Sequence, residues 1–260
     1  MPILSVITVV KDDATGLRRT LESVRNQDLP GHNYRSWEVV VVDGSAPGLR
    51  EVALGAGLEN MRFFCQAPAG IYSAMNFAVT EALGDYLLFV NAGDTFANTS
   101  ILGTLIDVLE RESPGWAFGR VHFTSESGRQ LFEPQWSYDT EADHLFARGL
   151  FPSHQGTVVR RDLMSKLGGF DQNFAIASDY HLMLRAHKNS RPLVLDFAVA
   201  DFQQGGASTA KWRKAIGEFH RARVEVFQPS GFVRVREWSD TAVQYMKTGL
   251  GHAVKGFRRG

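Results

Sequence analysis

The chain has 260 residues, 44% of them hydrophobic, enough to bury a sizeable core as one large α/β domain or as a domain with an appended subdomain; one domain is the simpler organisation. Its 28 basic and 28 acidic side chains cancel, which argues against a general nucleic-acid binder, since such a domain shows a clear basic excess. Cys65 is the sole cysteine, so no intrachain disulfide can form and a reducing compartment is expected.

No apolar run approaches the roughly 18 residues needed to span a bilayer, and MPILSVITVV lacks the charged lead and cleavage site of a signal peptide. The expected location is cytoplasmic. Charge is uneven along the chain: Lys211 to Gly260 holds eleven Lys or Arg against four Asp or Glu. That segment is +7 and the remainder −7, which implies a basic surface near the C-terminus.

In chain order, Leu4 to Val10 is an apolar, β-branched run that opens the sheet and ends in Lys11, Asp12 and Asp13. Leu17, Leu21 and Val24 mark a helix closed by the turn Asp28-Leu29-Pro30-Gly31. Val39 to Val42 is a second buried strand, ending in Asp43, Gly44 and Ser45. A short helix on Leu49, Val52, Ala53 and Ala56 leads to a third strand, Met61 to Cys65. Ile71, Ala74, Met75, Ala78 and Ala82 recur at helical spacing, with Gly84 as the stop. Tyr86 to Val90 is then a continuous apolar run, the pattern of a parallel strand covered on both faces, and it breaks into Asn91, Ala92, Gly93 and Asp94. Strands alternating with helices over the first hundred residues predict a doubly wound, mostly parallel sheet flanked by helices. In such a sheet ligands collect beyond the carboxyl ends of the strands, where both Asp43 and Asp94 fall.

Further on, Leu102, Leu105, Ile106 and Leu109 keep core spacing on a helix, and Trp116 to Phe123 resumes the strand pattern. A hairpin around Ser125 to Gly128 predicts a small antiparallel addition. Asp162 is placed as the cap of a helix holding Leu163, Met164 and Leu167, stopped by Gly168 and Gly169. Ser178 is placed as the cap of a helix whose buried face is Tyr180, Met183, Leu184 and His187, which puts Asp179 in its first turn. Leu193 to Val199 is another strand, followed by a loop with Gly205 and Gly206 that is either a mobile acceptor loop or a plain turn. The last clear helix buries Trp212, Ala215, Ile216, Phe219 and Val226, with Lys211, Arg213, Lys214, Arg221 and Arg223 on its other faces.

The ordered segments LSVITVVKD, VVVVDGS, GIYSAMNFAVTEALGDYLLFVNAGDTF and SHQGTVVRRDLMSKLGGFDQNFAIASDYHLMLRA resemble bacterial family 2 glycosyltransferases of the GT-A fold, from about Leu4 to about Ser208. The resemblance implies a GT-A domain over residues 1–210 and leaves 211–260 as a basic, helical C-terminal extension. It implies inverting transfer of a sugar from a nucleotide-sugar donor to an acceptor hydroxyl, with a divalent cation, Mg²⁺ or Mn²⁺, on the donor diphosphate. By matched position, Asp43 contacts the nucleotide base, Asp94 is the last acid of the DXD-type metal motif and Asp179 is the general base. His154 and Gln155 face donor phosphate or acceptor, while Thr8, Val10, Gly70, Met75, Asn76, Asn91, Ala92 and Gly93 fall on the donor side. Two departures stand out: Asn91, Ala92 and Gly93 leave Asp94 as the one carboxylate of its turn, and Pro68 and Ala69 occupy positions where many relatives carry an acid. One carboxylate plus substrate phosphates and water is nonetheless a known way of holding such a cation.

Each residue also has a plainer role open to it. Asp94 suits a turn or cap, Asp179 is favoured in a first helical turn by the dipole alone, Asp43 suits an Asx turn, and His154 suits a structural hydrogen bond. A glycan or lipid-linked acceptor is expected, and the chain could pair as a homodimer. Val243, Tyr245, Met246, Leu250, Val254 and Phe257, with Lys247, Lys255, Arg258 and Arg259, make either a helix lying on the anionic inner face of a membrane or a solvated helix with a frayed basic tail. Two rival functions stand beside this one. A nucleotidyltransferase would need a Gly- and basic-rich phosphate loop, which ITVVKDDATG matches poorly, and a catalytically silent nucleotide-sugar-binding subunit would suit the thinned acid cluster.

Overall fold

The computed structural model describes residues 1–31, 35–125, 130–132, 138, 142, 146, 151–203 and 211–257. The strands β1 (Leu4–Val10) and β2 (Trp37–Asp43) are buried along their whole length and pair in parallel, Leu4 against Trp37 through to Val10 against Asp43. Their side chains alternate between two cores. Ile7, Val9, Val40 and Val42 enter one; Leu4, Val6, Val39 and Val41 enter the other. Hence neither run alternates apolar with exposed polar residues, and their few polar members, Ser5, Thr8, Glu38 and Asp43, are buried with the rest.

Outside β2 lies β3 (Met61–Cys65), and on the far side of β1 lies β4 (Tyr86–Phe89), both parallel to their neighbours. The chain therefore reverses its direction of winding at β1, and the switch point of the sheet lies between the ends of β1 and β4. The remaining strands are β5 (Thr95–Phe96), β6 (Trp116–Thr124), β7 (Gln130–Phe132), β8 (Thr157–Arg160) and β9 (Leu193–Gln203). The order is β3-β2-β1-β4-β8-β6-β9-β5, with β7 paired to β6. Antiparallel ladders join β8 to β4 and β6, β9 to β5 and β7 to β6. This part is wider than the sequence suggests, because β8 and β5 are too short to carry a period and take their strand form from their neighbours.

One core layer receives α1 (Ala14–Arg25) and α4 (Ile101–Glu112), and short α2 (Arg50–Leu54) packs at its margin. The other receives α3 (Ile71–Glu81), α5 (Arg161–Lys166), α6 (Ser178–Asn189) and α7 (Trp212–Phe227), whose Ala222 and Val226 join the same cluster as Ile7 and Val40. A last helix, α8 (Gly231–Phe257), packs on α7.

Several local expectations are corrected. Ile71 is exposed and Tyr72 takes the buried place at the start of α3. Asp162 is not a cap: Arg160 holds that position, and the Asp162 carboxylate accepts from the Leu163 N–H and from Arg160 within the first turn. Likewise Ala177, not Ser178, is the cap residue of α6. Arg223 is buried rather than on an outer face, because its guanidinium pairs with Glu237 of α8 at 2.5 Å and donates to Thr241 at 3.0 Å. The turn at 126–128, Gly205 and Gly206, the side chains of Lys247, Leu250, Val254, Lys255 and Phe257, and Arg258 and Arg259 lie outside the described residues.

The N-terminal turn of α1 comes against the chain that leaves β4. A Cβ on Gly16 would lie 2.9 Å from the Gly93 nitrogen and 2.1 Å from the Asp13 carboxylate that caps the helix. In an open helix Gly→Ala gains about 1 kcal/mol. Here the sign reverses: Gly16→Ala is expected to cost about 1–3 kcal/mol by overpacking against backbone, read as a lowered urea midpoint at unchanged slope.

Candidate functional site

Beyond β4 the chain stays tied to β1, with the Val90 N–H on the Ile7 carbonyl at 2.9 Å and the Ala92 N–H on the Val9 carbonyl at 3.3 Å. It then turns sharply. Asp94 N–H returns to the Asn91 carbonyl at 2.9 Å, and Gly93 takes φ +97°, which a side chain would resist. Thr20 of α1 fixes this turn from beneath: its hydroxyl donates to the Asp94 carbonyl at 2.7 Å and accepts the Gly93 N–H at 3.1 Å.

The Asp94 carboxylate is buried, at 5% exposure. Burial pushes it up to about 6, against the opposing pull of His154, the Gln155 amide, the Gln203 backbone N–H and Arg19. Gln155 Nε2 donates to Oδ2 at 3.3 Å, and Arg19 reaches the Gln203 side chain at 2.9 Å. His154 and Gln155 stand on a 3₁₀ turn, His154–Gly156, that leads into β8 beside β4. Gly156 permits the close packing, since a Cβ there would meet Val121 Cγ2 at 2.7 Å and the Gly119 carbonyl at 2.8 Å.

His154 links the turn to α6. Its Nε2 is 3.2 Å from Asn91 Nδ2, and its Nδ1 is 3.3 Å from Asp179 Oδ2. One tautomer satisfies both contacts: Nδ1–H donates to Asp179 while Nε2 accepts from Asn91. That assignment leaves Asn91 Oδ1 buried with no hydrogen-bond partner among the described residues. The other Asp179 oxygen accepts the Tyr180 N–H at 2.8 Å and the Tyr72 hydroxyl at 3.2 Å. The single Tyr72 hydroxyl proton is shared with the Ile176 carbonyl, the closer of its two acceptors. Burial first, and the Asp179 charge second, hold the Tyr72 phenol protonated well above its ordinary range.

The structure thus brings together Asn91, Ala92, Gly93, Asp94, His154, Gln155 and Asp179. Other sequence-derived positions have different surroundings. Asp43 is 2% exposed and both oxygens accept backbone N–H groups, of Ser45 at 2.9 Å and of Leu49 at 2.5 Å, so its carboxylate shapes the loop after β2. Thr8 is buried within the sheet with its hydroxyl on the Val90 carbonyl at 2.8 Å, and Val10 lies in the core. Met75 is core, not donor wall, and Asn76 brackets the Phe170 backbone, donating to its carbonyl at 2.7 Å and accepting its N–H at 2.8 Å. Gly70 is exposed at the start of α3 with φ +101°. Across β2, β1 and β4, strand spacing puts the loop after Asp43 about 10 Å from the Asp94 turn, on the same edge of the sheet.

Sequence reasoning missed Tyr72, Thr20, Arg19 and Gln203. Thr20 left a trace, as a polar residue among the buried Leu17, Leu21 and Val24 positions. Tyr72 left none, since its partners lie 104 and 107 residues away.

Among the described residues no cluster of three or more His, Cys, Asp or Glu is placed to hold a metal. A hard divalent cation still fits the turn through the desolvated Asp94 carboxylate and the unpartnered Asn91 Oδ1, both oxygen donors, with phosphate and water completing the shell.

Residues 5–168 match the sequence model described as Glycosyl transferase family 2. An uncharacterised glycosyltransferase of Mycobacterium tuberculosis is 28% identical over 232 residues, 85% of each chain. A PGL/p-HBAD biosynthesis glycosyltransferase of Mycobacterium bovis is 26% identical over 197 residues, 72% of this chain and 71% of its own. Among solved structures, S. aureus TarS 1-349 in complex with UDP superposes with a TM-score of 0.68 at 20% identity, over 93% of this chain and 70% of that one. Of a longer TarS chain only 41% is spanned. The mannosyltransferase PcManGT of Pyrobaculum calidifontis, in complex with GDP-Man and Mn²⁺, superposes with a TM-score of 0.65 at 15% identity over 96% of this chain and 75% of that one. The shared architecture is the GT-A fold that the motifs imply.

Because the Asp94 carboxyl is raised above its unfolded value, its contribution favours the fold below about pH 4 and is lost as the pH rises through about 6. Asp94→Asn removes this dependence. In metal-free buffer the variant is expected to gain on the parent protein between pH 4 and pH 7.5, by up to about 3 kcal/mol in chemical denaturation. Added Mn²⁺ is expected to raise the melting temperature of the parent protein and to leave the variant unmoved.

Proposed function

Because this chain belongs to glycosyl transferase family 2, and is therefore a glycosyltransferase, we propose that it moves a sugar from a nucleotide-diphosphate sugar to an acceptor hydroxyl with inversion, in assembly of a surface glycan or glycolipid. The observation that carries this reading is the chain of contacts Asn91–His154–Asp179–Tyr72, which joins the turn at the switch point of the sheet to a carboxylate on α6.

Inverting transfer needs a stabilised leaving diphosphate, an aligned hydroxyl and a base for its proton. Asp179 is the base. Oδ1 is fixed by the Tyr180 N–H and Tyr72, while the His154 contact on Oδ2 is at 3.3 Å, long enough to be exchanged for an acceptor hydroxyl. Tyr72 stays neutral and supplies a proton to hydrogen bonding without competing for the acceptor's proton. Asn91 and Asp94 would hold the divalent cation, which as a Lewis acid would offset charge developing on the departing diphosphate. Gln155 and Gln203 keep the Asp94 carboxylate oriented. The nucleoside lies along the edge formed by the loops after β1 and β2, where Asp43 acts through the backbone it shapes. The complexes of TarS with UDP and of PcManGT with GDP-Man and Mn²⁺ support a nucleotide sugar as donor.

No helix among the described residues is long and apolar enough to cross a membrane. On α8, however, Phe232, Val235, Val243 and Met246 fall within about 80° of one another around the helix, all exposed, Phe232 at 81%, and Arg236 lies beside them. This face suits contact with an anionic leaflet, as access to a lipid-linked acceptor requires.

A thermal-shift screen of UDP, GDP and dTDP sugars tests the donor. One nucleotide class is expected to stabilise by about 2.7 kcal/mol at a hundredfold excess over its dissociation constant, and more with Mn²⁺ than without. Asp179→Asn is expected to lower transfer by about 10²–10⁴-fold while keeping that shift; a shift without turnover in the parent protein would instead favour a binding subunit. For the membrane face, sedimentation with phosphatidylglycerol-containing vesicles, but not pure phosphatidylcholine, is expected, and Phe232→Ser with Met246→Ser should abolish it.

A further inference from the structure

At the start of the helix that carries Asp179, Asp179 Oδ1 itself accepts the Tyr180 N–H at 2.8 Å, but the cap position supplies no acceptor. Ala177 occupies the cap position of α6 and offers no side-chain acceptor, although a helix start leaves four N–H groups unsatisfied. For the Ala177 N–H and the two amides that lead into the helix, the acceptor comes from α7. Glu218 Oε1 accepts the Ala175 N–H at 3.1 Å, and Oε2 accepts the N–H groups of Ile176 at 2.8 Å and Ala177 at 3.0 Å. The Glu218 side chain is buried, at 7% exposure for the residue, with Lys214 at 3.8 Å.

A second α7 side chain holds the same segment. Arg221 donates to the Asn173 carbonyl at 2.8 Å and stacks over the Phe174 ring, 3.9 Å from its centroid. From the opposite side Tyr72 takes the Ile176 carbonyl and reaches Asp179. Residues 173–179 are therefore clamped between α3 and α7, and the clamp ends on the carboxylate that has to meet the acceptor. Charged acceptors of backbone N–H groups are the stronger kind, and a misplacement of about 1 Å at a reacting group can cost about 10²-fold in rate.

We infer that Glu218 is a positioning residue for Asp179, fixing the start of α6 by accepting the backbone N–H groups of residues 175–177. The inference rests on the reading of Asp179 as base, and it brings a helix with no catalytic signature of its own into the reaction.

Glu218→Gln keeps the size of the side chain but turns an N–H₂ group toward the amides, and Glu218→Asp keeps the charge but withdraws it by one methylene. Release of nucleoside diphosphate from UDP-, GDP- and dTDP-sugars, each with Mn²⁺ and with water as the acceptor of the sugar, is measured alongside hydrogen exchange of the intact protein. For Glu218→Gln the expected result is kcat down about 10–100-fold with donor KM within twofold, and faster exchange at the 175–177 amides. In the Asp179→Asn background the same change should cause no further loss, whereas a general loss of stability would add to it. Glu225→Gln, the same charge change at an exposed site on α7, should leave kcat unaltered. A kcat within twofold of the parent protein, or unchanged exchange at 175–177, would overturn the inference. Should Glu218→Gln not fold, Glu218→Asp is read by the same two criteria. Retained transfer in Asp179→Asn would instead remove the base from Asp179, while the exchange result would still report on the cap.

Discussion

A carboxylate kept out of water at the end of a buried strand has to be compensated from every side, and this constraint organises the molecule around Asp94. α1 supplies Thr20 to hold the backbone, the 3₁₀ turn before β8 supplies Gln155, and the end of β9 supplies the Gln203 N–H. Each of these elements can reach the turn because the sheet reverses its winding at β1 and opens a crevice there. Even with these contacts the carboxyl is raised, so ionised Asp94 is a cost carried by the fold.

The fold was legible where burial leaves a continuous apolar run. Leu4–Val10, Val39–Val42 and Tyr86–Val90 read as covered strands from their β-branched and apolar make-up, and the break that follows the last of them marked Asp94. Short strands were not legible: β8 and β5 are strands because of what they lie beside. The motif matches named His154, Gln155 and Asp179, which the fold gathers beside Asn91 and Asp94, and they also named positions whose side chains are engaged elsewhere. Met75 already stood on the apolar stripe of α3, and that spacing was a better guide than its closeness to the GIY segment. Thr8 and Asp43 stood at the right strand ends, yet their side chains satisfy neighbouring backbone groups. Tyr72, Thr20 and Glu218 act on partners many residues away, which neither helical nor strand period encodes.

The basic balance of residues 211–260 drew attention to charge, whereas its first helix is bound to the rest by apolar and carboxylate contacts. Phe219 meets Tyr180 edge to face at 4.9 Å, Ala222 and Val226 enter the central core, and the buried pair of Arg223 with Glu237 fastens α8 onto α7. Two polar features of α7 face opposite ways in consequence: Glu218 toward α6, Arg223 toward α8.

The amides of Ala175, Ile176 and Ala177 find their acceptor 43, 42 and 41 residues further along the chain. During synthesis, which proceeds at about 5–20 residues per second, the sheet and the Asp94 turn can form while that acceptor is still inside the ribosome. The start of α6 stays unsatisfied until α7 has emerged and docked. Maturation is therefore ordered from one end, and a nascent chain acquires its crevice beside Asp94 seconds before it acquires a fixed start to α6.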